Sequence, residues 1–389
     1  MTSTLKSHTL FSVYLLGFLY AFRTALPTYI NSSFLNVYIS ERVVGLIYIF
    51  ASIFTVLCFF YLPFVLKRFG NFKTALTLII AELIALLGLV FINNSLWLII
   101  VFVVNLAIIP LVYFSMDIFL EGFSRNSQTG TVRGIYLTSV NLAWAFSPLI
   151  SGLLLADNDY WKIYLASFIF LLPVLLILVI NLRQFKDSNY EVVPVWRTIK
   201  SITHDKNISA IFGANFLLFF FYSWMTIYTP LYLNKFLGFS WGQIGTIFFI
   251  MLLPFVLVQL PLGRIADKKF GEKEILSLGF FVIAVSTCLI TFIDSRQMWL
   301  WAAILFITRV GASMIEIMCD TYFFKKVGAL NAGVISFYRM VGPLAYVLGP
   351  LVAMALIVIF KIDLSYLFLI LGLIMLIGLV FSLRLKDTK

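Results

Sequence analysis

Twelve stretches, each long enough to cross a bilayer as a helix, divide this chain. They lie near residues 8–29, 43–65, 73–92, 96–120, 132–156, 161–182, 208–232, 242–262, 275–293, 297–322, 332–360 and 364–384. A helix of about eighteen or more apolar residues spans a hydrocarbon core roughly 30 Å thick. Inside that core each backbone N–H and C=O must be satisfied within the protein, and the length of these runs is that of a spanning α-helix. The expected fold class is therefore an all-α membrane protein. Composition agrees. Of 389 residues, 62% are hydrophobic and 12% charged, against about 25% charged in soluble domains, and the mean hydropathy is +1.04. The first run is too long for the apolar region of a signal peptide and lacks a small-residue cleavage site, so it is expected to be retained.

The net charge of +11 does not point to nucleic acid, because the basic residues sit in short segments between spans. With the N-terminus inside, cytoplasmic segments hold 20 of the 28 Lys and Arg. Outer loops hold five: Arg42, Lys162, Lys235, Arg296 and Lys361. That asymmetry predicts both termini on the cytoplasmic side, and the expected location is the cytoplasmic (inner) membrane. The longest polar stretch, residues 184–207, is expected to be a cytoplasmic linker between six-helix bundles at 1–183 and 208–389.

The two halves echo each other at a displacement near 200 residues. PTYINSSFL at 27–35 matches PLYLNKFL at 230–237, and Ser40 and Gly45 match Ser240 and Gly245. LP…KRFG at 62–70 matches LP…KKFG at 260–271, and the pair Asp117 and Glu121 matches Glu316 and Asp320. Both halves start inside and hold six spans, so the repeat is parallel, about an axis along the membrane normal.

Six plus six spans with a central linker resemble the major facilitator superfamily, along essentially the whole chain. The most specific match is GRIADKKFGEKE at 263–274, which resembles the family's loop motif after the second and eighth helices. Gly263 would let helices approach closely, and Gly271 would permit a tight turn. Asp267 can accept hydrogen bonds from a helix N-terminus, while Arg264 and Lys268 can reach acids on a neighbouring helix. The resemblance implies a gate on the cytoplasmic side; simple anchoring of a basic loop explains Lys268 and Lys269 but not the Gly/Asp spacing. The first half departs from the motif, with Leu62 and Leu66 where the second has Gly263 and Asp267. Stretches rich in Gly and Pro occur at 145–152 (AFSPLISG) and 342–350 (GPLAYVLGP).

A charge near mid-bilayer costs at least ~2.5 kcal/mol, so each such side chain must pair, snorkel or face a cavity. Arg23 and Arg309 fall in spans one and ten, which line the central cavity in the resembled family, so both are candidate substrate contacts whose guanidinium forks suit carboxylate or phosphate. An internal salt bridge stands as the alternative for each. Arg339, in span eleven, is expected to pair with Glu316. Asp117 with Glu121, and Glu316 with Asp320, sit i, i+4 on one helix face. Like charges there repel, which favours a carried proton unless a cation intervenes. The deeper Asp117 and Glu316 are the proton candidates. Glu121 and Asp320 are expected latch partners of Lys67, Arg68, Arg264 and Lys268. Glu82, alone in span three, is either a proton site or a structural hydrogen-bond partner. Asn105, Asn215 and Tyr222 are candidate cavity residues, although the aromatic content of 17% serves packing and interfacial belts as well.

No GxxxxGK[ST] occurs, so ATP is not the expected energy source. His8, His204, Cys58, Cys288 and Cys319 form no metal-ligand spacing, no cofactor is expected, and no nucleophile-plus-base arrangement suggests an enzyme. The leading expectation is a monomeric secondary transporter of a small organic solute, coupled to H+ and working by alternating access. The membrane arginines favour a small organic anion. The carboxylates and aromatic residues favour a proton-coupled exporter of lipophilic cations. A non-transporting sensor or assembly partner is the remaining class.

Overall fold

The computed structural model describes residues 3–386 apart from 29, 40, 124–128, 155–158, 188–189, 191–194, 269–270 and 328–331; residues 3–9, 32–33, 36, 41–45, 152–153, 195, 198, 201, 231, 234–235, 241, 267–268, 332 and 358 are described in backbone only. Every regular element among the described residues is helical. In chain order they are α1 (Ser3–Thr28), α2 (Asn31–Asn36), α3 (Glu41–Phe91), α4 (Ser95–Phe123), α5 (Thr129–Leu154), α6 (Tyr160–Asn181), α7 (Val195–His204) and α8 (Lys206–Leu231). A π-helical turn at Tyr232–Phe236 leads to α9 (Trp241–Leu257), α10 (Gln259–Lys268), α11 (Glu272–Ile290), α12 (Met298–Lys326), α13 (Ala332–Val358), α14 (Leu364–Met375) and α15 (Ile377–Leu383).

Twelve crossings come from these helices. Ten stretches are long and apolar enough to span, and the double-length Leu46–Phe91 counts as two; α5 supplies the twelfth. Within α3 the chain turns at Gly70, where φ is 77° and ψ 167°, a conformation that favours glycine. α9 and α10 form the eighth crossing with a break at Val258, and α14 and α15 the twelfth with a break at Leu376.

Helix starts are set locally. Asp205 caps α8 by accepting from the N–H groups of Asn207 at 2.8 Å and Ile208 at 3.1 Å. Ser240 and Gln243 cap α9 reciprocally, satisfying two donors that a helix end leaves free. The basic end of α12 meets the acidic start of α11, where Lys325 Nζ lies 2.8 Å from Glu272 Oε1; both charges complement their helix dipoles. Gly271, the N-cap of α11, has φ −73°. That backbone is open to any residue, so the expectation that glycine is needed there for a tight turn is corrected.

Contacts divide the chain into two compact units. One comprises Met1–Arg125, Ser139–Val195 and Val327–Pro343; the other Asn126–Thr138, Trp196–Lys326 and Leu344–Lys389. α5 and α13 are thus shared, each starting in one unit and ending in the other.

In the first unit, polar ties cross the apolar packing. Ser151 Oγ donates to the Leu26 carbonyl at 2.8 Å, Tyr164 to Asn31 at 2.9 Å, and Asn181 to Ser12 at 2.7 Å. Each satisfies a polar group that hydrocarbon would leave stranded. In the second unit, glycines set the closest approach: a Cβ on Gly311 would lie 2.7 Å from the Gly279 carbonyl oxygen, so α11 and α12 touch backbone to backbone. Large apolar side chains such as Phe91, Ile180 and Phe292 stand exposed, as a lipid-facing surface requires. Trp97, Trp161 and Trp299 are exposed in the first turns of α4, α6 and α12, the place of an interfacial aromatic belt.

Candidate functional site

Four helices or helix segments bring ionisable groups into the core of the first unit. Arg23 on α1 lies 2.9 Å from Glu82 on α3, and both side chains are fully buried. Arg23 also donates to Asn105 on α4, and Tyr20 donates to Glu82 at 3.0 Å. Tyr113 stands edge-on to Tyr20 at 5.1 Å. Glu82 therefore faces inward from span three, and its partner is the arginine that has no acid on its own helix. The candidates Arg23, Asn105 and Glu82 form one network.

Asp117 on α4 sits deeper than Glu121 and is 1% exposed, whereas Glu121 is half-buried. Arg339 donates from Nε to Asp117 Oδ2 at 2.5 Å and from Nη2 to Oδ1 at 2.9 Å. The expected pairing of Arg339 with Glu316 is corrected, because the N-terminal part of α13 packs in the first unit, where Asp117 meets it. Beside this pair Ser336 donates to the Phe59 carbonyl at 2.6 Å, and Phe337 meets Phe60 edge-on at 5.7 Å.

The second unit carries a counterpart. Arg133 on α5 lies 4.0 Å from Asp320 on α12, and its guanidinium stacks 3.4 Å over the Phe324 ring. A cation over an aromatic face is favourable, more so when desolvated. Asp320 is expected from the sequence to meet Lys67, Arg68, Arg264 or Lys268; Arg264 is exposed, the Lys268 side chain lies outside the described residues, and Arg133 is a partner that the structure adds. By role Asp117 therefore matches Asp320, and Arg339 matches Arg133, in place of the sequence pairing of Asp117 with Glu316. Arg133 was not singled out in the sequence. Its signal was the spacing Gly130-x-x-x-Gly134 around it, a pattern that allows helices to approach closely. A Cβ on Gly134 would lie 3.2 Å from the Gln259 carbonyl oxygen, and one on Gly263 would collide with the Gly130 carbonyl. Gly263 does sit at a helix crossing, between α10 and α5. The side chains of Asp267 and Lys268 lie outside the described residues.

Above this crossing, by position along α12, lies a second group of candidates. Arg309 is 5% exposed, with its guanidinium 5.0 Å from the Phe221 ring centre and 5.5 Å from that of Tyr222. Glu316, two turns further on, accepts from Gln259 Nε2 at 2.9 Å and from Tyr222 at 3.4 Å. Gln259 is fully buried and was missed in the sequence, where nothing separates it from an ordinary polar residue at a span end. Asn215, on the same helix as Tyr222, is 4% exposed, and its Nδ2 has no hydrogen-bond partner among the described residues. A buried unpaired donor costs about 1–3 kcal/mol, so it is suited to a bound group or an ordered water. The arrangement offers one fixed cation framed by π faces, a half-buried carboxylate held by two neutral donors, and an amide donor. It can orient a small polar solute; it holds no nucleophile and base for bond-making chemistry.

The sequence matches the Major Facilitator Superfamily over residues 10–251 and again over 211–389. No curated protein matches it. Among solved structures, the human organic anion transporter MFSD10 (TETRAN) superposes with a TM-score of 0.77 at 14% identity, covering 98% of this chain and 100% of that one. The proton:xylose symporter XylE, bound to 6-bromo-6-deoxy-D-glucose, gives 0.74 at 14% identity, covering 100% and 98%. The Escherichia coli fucose:proton symporter FucP gives 0.75 at 11% identity, covering 97% and 98%.

Proposed function

Because the chain belongs to the major facilitator superfamily, an integral membrane family of transporters and not of enzymes, we propose that it is a proton-coupled secondary transporter of a small organic anion. The observation that carries this reading is Arg309, a buried cation midway along α12 with Phe221 and Tyr222 beside it. Its planar fork suits carboxylate or phosphate, and Asn215 and Tyr222 supply neutral polar contacts on the facing helix. Arg23 is engaged by Glu82 and Asn105, so its part in binding requires that network to open. The structural relatives carry an organic anion, xylose or fucose by name, and cargo this varied leaves the substrate class to this chain's own side chains.

Coupling is assigned to carboxylates that have a cation or a neutral donor as an alternative partner: Glu82 beside Arg23, Asp117 beside Arg339, and Glu316 beside Gln259 and Tyr222. Alternating access, by rocking of the bundles 1–183 and 208–389 joined by the linker 184–207, follows from the repeat. The pairs Asp117–Arg339 and Asp320–Arg133, with Gly263 at its crossing, are the proposed gate. The positive-inside asymmetry supports both termini in the cytoplasm; the inner membrane and a monomeric state are assigned by the family resemblance.

A second reading is favoured by Glu316, which sits beside Tyr222 and so close to an aromatic face: export of lipophilic cations. Thermal unfolding of the purified protein against anionic metabolites and lipophilic cations separates the two. A ligand at 100 times its Kd stabilises the folded state by roughly 2.7 kcal/mol. A shift with anions that disappears in Arg309→Ala supports the anion reading. A shift with cations that disappears in Glu316→Gln replaces it with the exporter. No shift from either panel favours a sensor or assembly role.

A further inference from the structure

α7 presents a face that no membrane crossing uses. At 3.6 residues per turn, Ile202, Ile199, Thr203 and Trp196 follow one another along an arc of about 120°, and Lys200, His204 and Arg197 occupy the adjoining 60° or so. Ile202 is buried at 9% exposure and fixes the helix to its surroundings, whereas Trp196 is 75% exposed and Ile199 36%. Arg197, Lys200, Thr203 and His204 are exposed as well. A solvated helix would place its large indole on the buried side, next to Ile202; here it points out, with cations flanking it.

Position adds a second argument. The chain leaves helical geometry at Asp205, with φ −84° and ψ 106°, and α8 begins at the next residue. That residue, Lys206, also opens the membrane-spanning stretch Lys206–Pro230. α7 is thus tied by one residue to the edge of the hydrocarbon. Its ten residues reach roughly 15 Å, half of what a crossing needs. A short helix with an apolar arc, an exposed Trp and a basic arc, held at the bilayer edge, has the character of an interfacial helix.

We propose that α7 is a docking surface for the anionic headgroup layer of the bilayer, with Trp196 and Ile199 entering the headgroup–acyl boundary and Arg197 and Lys200 meeting lipid phosphates. The same side chains would tie the start of α8 to the charge of the surrounding lipid. This surface is separate from the transport reading and stands without it.

The test uses the full chain with Cys58, Cys288 and Cys319 replaced by serine and a nitroxide placed at Thr203→Cys, in the apolar arc, or at His204→Cys, in the basic arc. Each is reconstituted in vesicles of phosphatidylcholine alone or with phosphatidylglycerol. Collision with oxygen and with a water-soluble nickel complex reports depth. The expected result in anionic vesicles is an oxygen-accessible, nickel-shielded label at 203 and a nickel-accessible one at 204, with a shallower label at 203 in phosphatidylcholine. A nickel-accessible 203 in anionic vesicles overturns the proposal. Shielding of 203 from both reagents, the mark of a protein partner, overturns it too. So does equal depth in both lipids. Native mass spectrometry of the unlabelled wild type in nanodiscs gives a reading independent of the cysteine changes. Each cation near an anionic surface is worth about fivefold in affinity, so Arg197→Gln with Lys200→Gln should lower phosphatidylglycerol retention by about 25-fold. Unchanged retention removes the basic arc from the interaction.

Discussion

Arg339 and Asp117, 222 residues apart, share two parallel hydrogen bonds from guanidinium Nε and Nη2 to the two carboxylate oxygens. A bidentate fork of this kind is both directional and about twice as strong as a neutral hydrogen bond. Asp117→Asn and Arg339→Gln should each lower stability by roughly 1.5–3 kcal/mol. A double-mutant cycle by thermal or denaturant unfolding should return a coupling energy within about 0.5–3 kcal/mol. Additive single effects would show that the two groups do not act together.

The Arg23–Glu82 pair is more deeply sequestered, so breaking it costs more. Glu82→Gln leaves a guanidinium in the core and should destabilise by about 3–5 kcal/mol, whereas Arg23→Met with Glu82→Leu should cost much less. The same variants test the coupling assignment. If Glu82 carries the proton, Glu82→Gln retains substrate exchange in proteoliposomes and loses accumulation driven by a pH gradient. Accumulation at the wild-type level would restrict the pair to a structural role.

Gly263 has backbone within the volume of a methyl group and Gly134 has backbone in tight contact with it at 3.2 Å, while Gly242, in the first turn of α9, has nothing within 4 Å. Gly263→Ala and Gly134→Ala should therefore slow transport and lower the unfolding midpoint by forcing α5 and α10 apart. Gly242→Ala should leave transport unchanged and stabilise by about 0.5–1 kcal/mol, the ordinary gain of alanine over glycine in a helix. Equal behaviour of the three variants would exclude close approach as the reason for Gly263.

Asp187 in the linker reaches back to the turn at Gly70, where it accepts from the Asn71 N–H at 2.7 Å and the Tyr190 hydroxyl at 2.7 Å. It caps the helix that starts there, so Asp187→Ala should cost about 1 kcal/mol. Burial, and then the Asp187 carboxylate, push the Tyr190 phenol up from its usual value. A raised folded pKa means that the stabilisation is complete below the unfolded value, near 10, and is lost as pH rises beyond it. Alkaline unfolding measured for wild type and Tyr190→Phe should keep a constant separation up to about pH 10, and the separation should change only above it, where the wild type falls faster.

The spans, their number and the six-plus-six repeat were legible because the bilayer imposes a minimum apolar length and because the repeat keeps an offset near 200 residues. Gly263 was legible for a similar reason: close helix approach demands a small residue at a fixed place. Pairings were not. Arg339 can reach either Glu316 or Asp117 as far as the sequence tells, because sequence carries no information on which helices cross, and the start of α13 packs beside Asp117. Glu82 was hard to place because one charge in an apolar run specifies that it must be satisfied and not by whom. Arg133 and Gln259 were passed over at span ends, where polar residues are ordinary and only three-dimensional packing distinguishes them.

α5 and α13 each start in one compact unit and finish in the other, and this bears on how the gene could be divided. A cut inside the linker yields two polypeptides of six crossings each, yet neither contains a whole unit. The first would carry the start of α5 without α12 to receive Arg133, and the second the start of α13 without α4 to receive Arg339. Each fragment would hold the start of one shared helix apart from the acid it meets in the full chain, so co-expression of both halves should be required to restore either ion pair.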